Sequence, residues 1–233
     1  MSSTKRAAAS AALVECREGM LIGLGTGSTA REFVSLLGGL VADGFECVCV
    51  PTSNATADQA RGLGIAIVDE PGASMIDVTI DGADEVDPDL NLIKGAGGAL
   101  LREKIVAAAS RRMVVIADQT KMVPVLGAFP LPIEVNRFGI EATRARIADI
   151  VSRNGGSDAL RLREQGRGQP FMTDGGHLIF DAFFGRISNA KALSEELLNI
   201  PGVVQHGLFL DMCDAAYVAG DSGVVFYGGA RND

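Results

Sequence analysis

Apolar and polar positions along this chain fall into two alternating rhythms. Residues 4–17, rich in Ala and including Leu13, have the spacing of a helix with Thr4 as its cap. "MLIGLG" is a short apolar run into a glycine turn and predicts a buried strand. "STAREFVSLLGGL" then predicts an amphipathic helix with Ser28 or Thr29 near its N-cap. "FECVCVPT" predicts a second strand, and "SNATADQARGLG" a helix ending at Gly62 or Gly64. "IAIVD" and "MIDVTID" have the composition of strands, "GALLREKIVAAAS" of a helix, and "RRMVVIAD" of another buried strand. Strands and helices that take turns in this way build βαβ units around a mostly parallel sheet, an α/β fold.

The texture changes at "GAFPLPIEV", where Pro124, Pro130 and Pro132 punctuate a boundary. "GIEATRARIADIVSR" predicts a helix, followed by strand candidates around Ala159 to Arg163, Gln169 to Thr173 and His177 to Asp181. "NAKALSEELLNI" predicts a further helix before Pro201. The expected division is a larger domain over 1–127 plus 201–233 and a small α+β domain over 128–200. The tail, "VVQHGLFL" and "AAYVAGDSGVVFYG", carries more strands that can return to the larger sheet.

Composition narrows the class. With 233 residues, 47% of them hydrophobic, the chain has material for a sizeable core. A formal net charge of -8 speaks against nucleic-acid or anionic-membrane partners, although 21 Lys and Arg leave room for a local anion site. Cys16, Cys47, Cys49 and Cys213 form no CxxC pair and have no His at zinc spacing, so free thiols in a reducing cytoplasm are expected. Ser10, Glu15 and Cys16 interrupt the apolar character of the N-terminal segment, which does not read as a secretory leader. No run reaches membrane-spanning length.

"GLGTGSTA", Gly23 to Ala30, joins a strand to a helix. Gly25 to Ala30 fits the relaxed dinucleotide pattern GxGxxA, but the following strand ends in Val50-Pro51-Thr52-Ser53, with no acid to hold a ribose hydroxyl. No GKS or GKT follows either. Backbone amides at a helix start, with hydroxyls on Thr26, Ser28 and Thr29, suit a phosphate monoester; a ligand-free βα turn with a Ser/Thr cap fits the same residues.

"VTIDGADEVD" ends a strand in Asp81, Asp84, Glu85 and Asp87. Like charges so close together need amides, cations or a substrate to offset their repulsion, or else a solvated loop. "LIKGAGGALLREK" follows, with Lys94 ahead of small residues Gly95 to Gly98 whose amides can form an anion nest. Glu103 has apolar neighbours one helical turn away, which suits a partly desolvated base; a solvated Arg102-Glu103-Lys104 stripe is the plainer reading. Asp87, Asp89 and Asn91 alternate as in a calcium loop, but Leu92 and Gly98 stand where that loop needs Gly and Glu. Magnesium on Asp81 and Asp84 has no specific support.

"GLGTGSTA", "DGADEVD", "KGAGGALLREK" and "IADQTK", in this order, resemble the type A ribose-5-phosphate isomerases, and the likeness continues through "FPLPIEV", "TDGGHLIFD" and "IPGVVQHGLF". The resemblance covers nearly the whole chain. Departures are slight: Thr120 stands where Ser is common, and "RLREQGRGQPF" is less recognisable. The resemblance implies a Rossmann-like larger domain beside the smaller α+β domain. It implies interconversion of ribose 5-phosphate and ribulose 5-phosphate through an enediolate in the pentose phosphate pathway. No metal and no cofactor are implied, and a homodimer or higher homo-oligomer is. It makes Glu103 the base and Lys94 the electrophile, with Asp81 and Asp84 holding sugar hydroxyls. Substrate contacts are implied for Thr26, Gly27, Ser28 and Thr29, for Gly82 and Ala83, for Gly95, Ala96 and Gly97, and for Lys121. Lys5 is a weaker candidate for the phosphate. Glu85 and Asp87 are expected as solvated turn residues, and His177 and His206 as structural histidines. A sugar-phosphate sensor and a dinucleotide oxidoreductase are the competing classes. The first wants a DNA-binding segment that the sequence does not show, and the second the missing ribose-binding acid.

Overall fold

The computed structural model describes residues 3–69, 72, 75–157, 160–166 and 168–228. The chain divides into two compact units, one of Met1–Ala83, Arg102–Met122 and Asp211–Asp233, the other of Asp84–Leu101 and Val123–Leu210.

The first unit is built on a seven-stranded sheet. Its strands in chain order are β1 (Leu21–Leu24), β2 (Val48–Pro51), β3 (Ala66–Ile67), β4 (Val78–Gly82), β5 (Met113–Asp118), β6 (Ala215–Gly220) and β7 (Gly223–Gly228). Across the sheet they lie in the order β3-β2-β1-β4-β5-β6-β7. All neighbours are parallel except β6 and β7, which form an antiparallel hairpin at the edge. The order reverses between β1 and β4, as in a Rossmann-like sheet, and ligands of such sheets bind where strands end at that reversal.

Helices α1 (Ser3–Ala12), α2 (Ser28–Ala42) and α3 (Asn54–Gly62) belong to this unit. In α2, Phe33, Val34 and Leu37 recur at helical spacing and are buried with Ile22, Leu24, Ile80, Val114 and Ile116 in one core. Ser53 caps α3 by accepting the Thr56 amide, as Ser does at an N-cap. The cap of α2 differs from expectation. It is Gly27, at φ 116°, and no side chain accepts a hydrogen bond there. The Gly27 amide conformation suits glycine alone, which turns the chain sharply out of β1 and leaves the hydroxyls of Ser28 and Thr29 inside the helix's first turn.

The second unit is α+β. A four-stranded antiparallel sheet runs Val203–His206, Leu131–Val135, Leu178–Ala182 and Leu160–Leu162. Ile147, Ile150 and Val151 of α5 (Ile140–Arg153) and Leu193 and Leu197 of α6 (Ala190–Leu198) share one core with Leu131, Ile133, Val135 and Phe180 of that sheet. A second small sheet joins Glu85–Val86, Leu92–Ile93 and Leu208–Phe209.

These pairings divide the chain at other points than the prolines suggest. Residues 84–101 pair with Leu208–Phe209, so both segments lie in the second unit rather than in the larger one. Leu131–Val135, read in the sequence as proline punctuation, is a central strand with all five residues buried. Pro132 has no amide to give, yet its carbonyl still accepts from Gly207, so the strand tolerates it. Of the three strand candidates in the small domain, Leu160–Leu162 and Leu178–Ala182 form and Gln169–Thr173 shortens to Gln169–Pro170. Ala159 lies outside the described residues. The tail's last strands return to the larger sheet as its edge.

Candidate active site

In the first unit the C-terminal ends of β1, β4 and β5 stand side by side, with Leu24 opposite Ile80 and Gly82 opposite Ile116. The glycine loop therefore leaves next to Asp81, which is completely buried. Asp81 Oδ1 accepts from the Thr26 amide at 3.1 Å and from the Gly82 amide at 2.7 Å. Gly25 must lack a side chain here, because a Cβ would fall 2.0 Å from that same oxygen. The glycine loop and the first acid are thus one construction, with the carboxylate holding the loop down.

The hydroxyl of Thr26 is turned inward. It meets Thr52 Oγ1 at 2.7 Å, Ser53 Oγ at 2.8 Å and Thr56 Oγ1 at 3.2 Å, and Thr56 Oγ1 in turn donates to the Gly25 carbonyl at 3.0 Å. These contacts hold the shape of the loop. Ser28 is exposed and accepts from Lys5 Nζ at 2.8 Å, while Thr29 is buried. A cavity of about 380 Å³ opens against Thr26, Gly27, Ser28, Arg31, Thr56 and Gln59. Lys121 is half-buried in the turn Gln119–Lys121 that follows β5. Among the described residues no hydrogen bond or ion pair joins it to the loop, whereas Lys5 makes such a bond.

Glu103 lies on the first turn of α4 (Leu100–Ala108) and is only 3% exposed. The solvated stripe does not form. Lys104 beside it is half-buried, and its burial lowers the ammonium pKa to about 7. Arg102, by contrast, donates to Asn54 Oδ1 at 3.0 Å.

In the second unit, Asp84 Oδ2 accepts from the Ala96 amide at 2.8 Å. Lys94 is 2% exposed, an unusual state for a lysine, and its Nζ lies 5.5 Å from the centre of the Phe209 ring. Ala96 and Gly97, just beyond, are exposed. Arg163 donates to the Gly95 carbonyl at 2.6 Å and is paired with Asp181.

One expectation for the acids is corrected, and Asp87 is a turn residue as expected. Glu85 is buried rather than solvated, and its carboxylate accepts from the amides of Gly127 at 2.6 Å and Phe129 at 2.5 Å. Asp87 organises its turn by accepting from the amides of Asp89 and Asn91. Each of the four acids accepts from at least one backbone N–H group, and these amides offset part of the repulsion within the run. Each histidine contacts neighbouring protein groups: His177 Nδ1 lies 2.9 Å from buried Glu134, and buried His206 joins Ser194 and the Leu208 amide.

A parallel sheet that reverses order beside a glycine loop, with buried carboxylates at its strand ends, defines an α/β enzyme architecture. A family model described as ribose 5-phosphate isomerase A (phosphoriboisomerase A) matches residues 48–223. The chain is 54% identical over 224 residues to ribose-5-phosphate isomerase A of Nitrobacter hamburgensis, covering 96% of this chain and 97% of that one. It is 58% identical over 216 residues to the protein of the same name from Sinorhizobium medicae, covering 93% of each. Among solved structures, ribose 5-phosphate isomerase from Plasmodium falciparum superposes with a TM-score of 0.92 at 36% identity, over 99% of this chain and 100% of that one. A D-ribose-5-phosphate isomerase in complex with phospho-erythronic acid superposes with a TM-score of 0.89 at 38% identity, over 97% and 98%. This chain belongs to the ribose 5-phosphate isomerase A family, the isomerases that interconvert ribose 5-phosphate and ribulose 5-phosphate in the pentose phosphate pathway.

Proposed function

We propose that the chain carries out this aldose–ketose conversion through an enediolate, with Glu103 as the base that serves both carbons. In the open-chain aldose, the Glu103 carboxylate removes the C2 proton and later returns it to C1, while the hydroxyl proton at O2 passes to O1. The base needs a carboxylate free of bulk water, and the observation that carries the reading is the burial of Glu103 to 3%. Lys94 is the electrophile that stabilises the oxyanion of the intermediate, with the substrate-contacting residues Gly95, Ala96 and Gly97 beside it. Asp81 and Asp84, with Gly82 and Ala83, hold hydroxyls and assist opening of the furanose. The amide contacts made by both acids support fixed positions for them.

Gly27, Ser28 and Thr29 hold the phosphate at the start of α2, and the loop-shaping contacts of Thr26 support that role. Lys121 and Lys5 are the counter-charges, and the bond from Lys5 to Ser28 supports its part in the site. No metal or cofactor takes part. The protein works in the cytoplasm as a homodimer or higher homo-oligomer, without nucleic-acid or membrane partners. Its four free cysteines and net charge of -8 are consistent with that setting.

The deciding experiment compares turnover of ribose 5-phosphate with that of free ribose. The phosphate supplies binding energy that positions C1 and C2, so ribose should lose in kcat as well as in KM. Comparable activity on both sugars would overturn the phosphate loop, and absence of activity on ribose 5-phosphate would overturn the function.

A further inference from the structure

We propose that Arg163 is a positioning residue for the isomerisation. It fixes the Lys94–Gly98 loop so that the Ala96 amide holds Asp84 and the Gly97 amide faces the developing oxyanion. The inference rests on the reading of the site given above.

The loop is closed by one internal bond, from the Gly98 amide to the Gly95 carbonyl at 3.0 Å, and entered through the Lys94 amide bonded to Gly207 at 2.9 Å. Gly95 and Gly98 take φ values of 109° and 76°, and Gly97 adds no side chain. Arg163 adds a side-chain constraint, the one that also engages the Ala96 carbonyl. One guanidinium nitrogen, Nη1, donates to the Gly95 carbonyl at 2.6 Å and to the Ala96 carbonyl at 3.3 Å. The other two nitrogens engage Asp181, with Nε at 3.0 Å from Oδ2 and Nη2 on Oδ1. The head group is thus held in a planar fork that lysine cannot reproduce. Its own backbone is pinned too: the Arg163 amide donates to Ile179, and its carbonyl accepts from Phe171. The Phe171 ring fills the space in which a Cβ on Gly98 would lie.

Peptide planarity turns this clamp into an amide orientation. In a trans peptide the C=O and the next N–H point in opposite directions. With the Gly95 carbonyl aimed at Arg163, the Ala96 N–H must point away, and it is found on Asp84 Oδ2 at 2.8 Å. With the Ala96 carbonyl also aimed at Arg163, the Gly97 N–H points the same way. Arg163 therefore directs two consecutive donors toward the side on which Asp84 lies, at exposed residues that a ligand can reach. An ion pair kept only for stability has no need of the two carbonyl contacts.

The test uses full-length Arg163→Lys, Arg163→Ala and Asp181→Asn proteins, each first checked for wild-type circular dichroism. Steady-state rates with ribose 5-phosphate and inhibition by phospho-erythronic acid, whose carboxylate mimics the enediolate, are then measured. Removing an oxyanion donor typically costs about 10²–10³ in kcat, so loosening the Gly97 amide and the Ala96–Asp84 contact should lower kcat of Arg163→Lys by roughly 10–100-fold. KM should stay within about threefold, because the phosphate contacts lie elsewhere. Phospho-erythronic acid should weaken in step with kcat/KM. Asp181→Asn should shift the same quantities less. Free guanidinium should restore part of the kcat of Arg163→Ala and none of that of Glu103→Gln. Wild-type kcat in folded Arg163→Lys, or unchanged inhibition, would overturn the proposal while leaving the isomerase reading intact. If Arg163→Ala does not fold, Arg163→Lys alone decides. A wild-type protein inactive on ribose 5-phosphate would remove both.

Discussion

Glu103 is the residue on which the chemistry turns, and its substitution separates catalysis from binding. Glu103→Gln keeps size and hydrogen bonding but cannot accept a proton. General-base catalysis is worth about 10²–10⁴-fold, so kcat should fall by at least that order with little change in KM. Near-wild-type turnover would move the base elsewhere, with Asp81 the next candidate. Thr29→Val makes the corresponding test of the phosphate. It keeps shape at a buried position while removing a hydroxyl, and should weaken ribose 5-phosphate by roughly 1–3 kcal/mol if a charged hydrogen bond is lost. Lys5→Met should weaken the same substrate and reduce the salt dependence of its KM. If free ribose loses as much as its phosphate in either variant, the loop holds no phosphate. At this scale the sequence showed which residue types lie together but not what each one touches. Asp81, Asp84, Glu85 and Asp87 form a single acidic run, yet two belong to the proposed chemistry, one anchors Gly127 and Phe129, and one ties a turn. The partners of Glu85 lie more than forty positions away, so no local pattern could reveal them.

Elements were legible where periodicity is strong and local. Helix α2 and strands β1, β4 and β5 follow directly from apolar spacing, and Ser53 announces the start of α3. Leu131–Val135 was not legible, because a strand buried on both faces has no alternation and its prolines imitate a loop. Arg163 escaped notice for the same kind of reason, since its partners Gly95, Ala96 and Asp181 come from separate elements. Helix α4 was legible as a helix but not in its exposure. With Lys104 near 7 in the fold and about 10.4 when unfolded, the unfolded chain binds the extra proton between those values. Stability therefore rises with pH through that window and is lowest below pH 7, where the half-buried ammonium must be charged. Denaturant titrations of wild type against Lys104→Met should show this difference, with a slope of up to about 1.4 kcal/mol per pH unit that Lys104→Met lacks. Parallel curves for the two proteins would mean that Lys104 titrates normally. A cap remote from the chemistry gives the matching control. Asn189 accepts from the Ala192 amide at the start of α6, so Asn189→Ala should cost about 1 kcal/mol of stability and leave kcat unchanged.

Across the whole molecule, the division into units was the least legible feature, because it is set by pairing between distant segments such as Leu92–Ile93 with Leu208–Phe209. Assembly is another property at this scale. Edge strand β7 leaves Val224, Val225, Phe226 and Tyr227 between 37% and 47% exposed, four consecutive large apolar residues along an open row of backbone groups. Soluble proteins protect such edges with charge, proline or a covering segment, and among Gly223–Gly228 there is no charge and no proline. A second copy of the same strand, related by a twofold axis, is self-complementary to it and would pair the open edge while packing against its side chains. The proposed homo-oligomer therefore has a surface that favours it. Light scattering at micromolar concentration should return a multiple of 24.2 kDa. Val225→Glu, which places a charge on the edge without touching any residue proposed for catalysis, should shift that mass downward while preserving circular dichroism. An unshifted oligomer would put the interface on another surface. A wild-type mass of a single chain would refute the assembly itself.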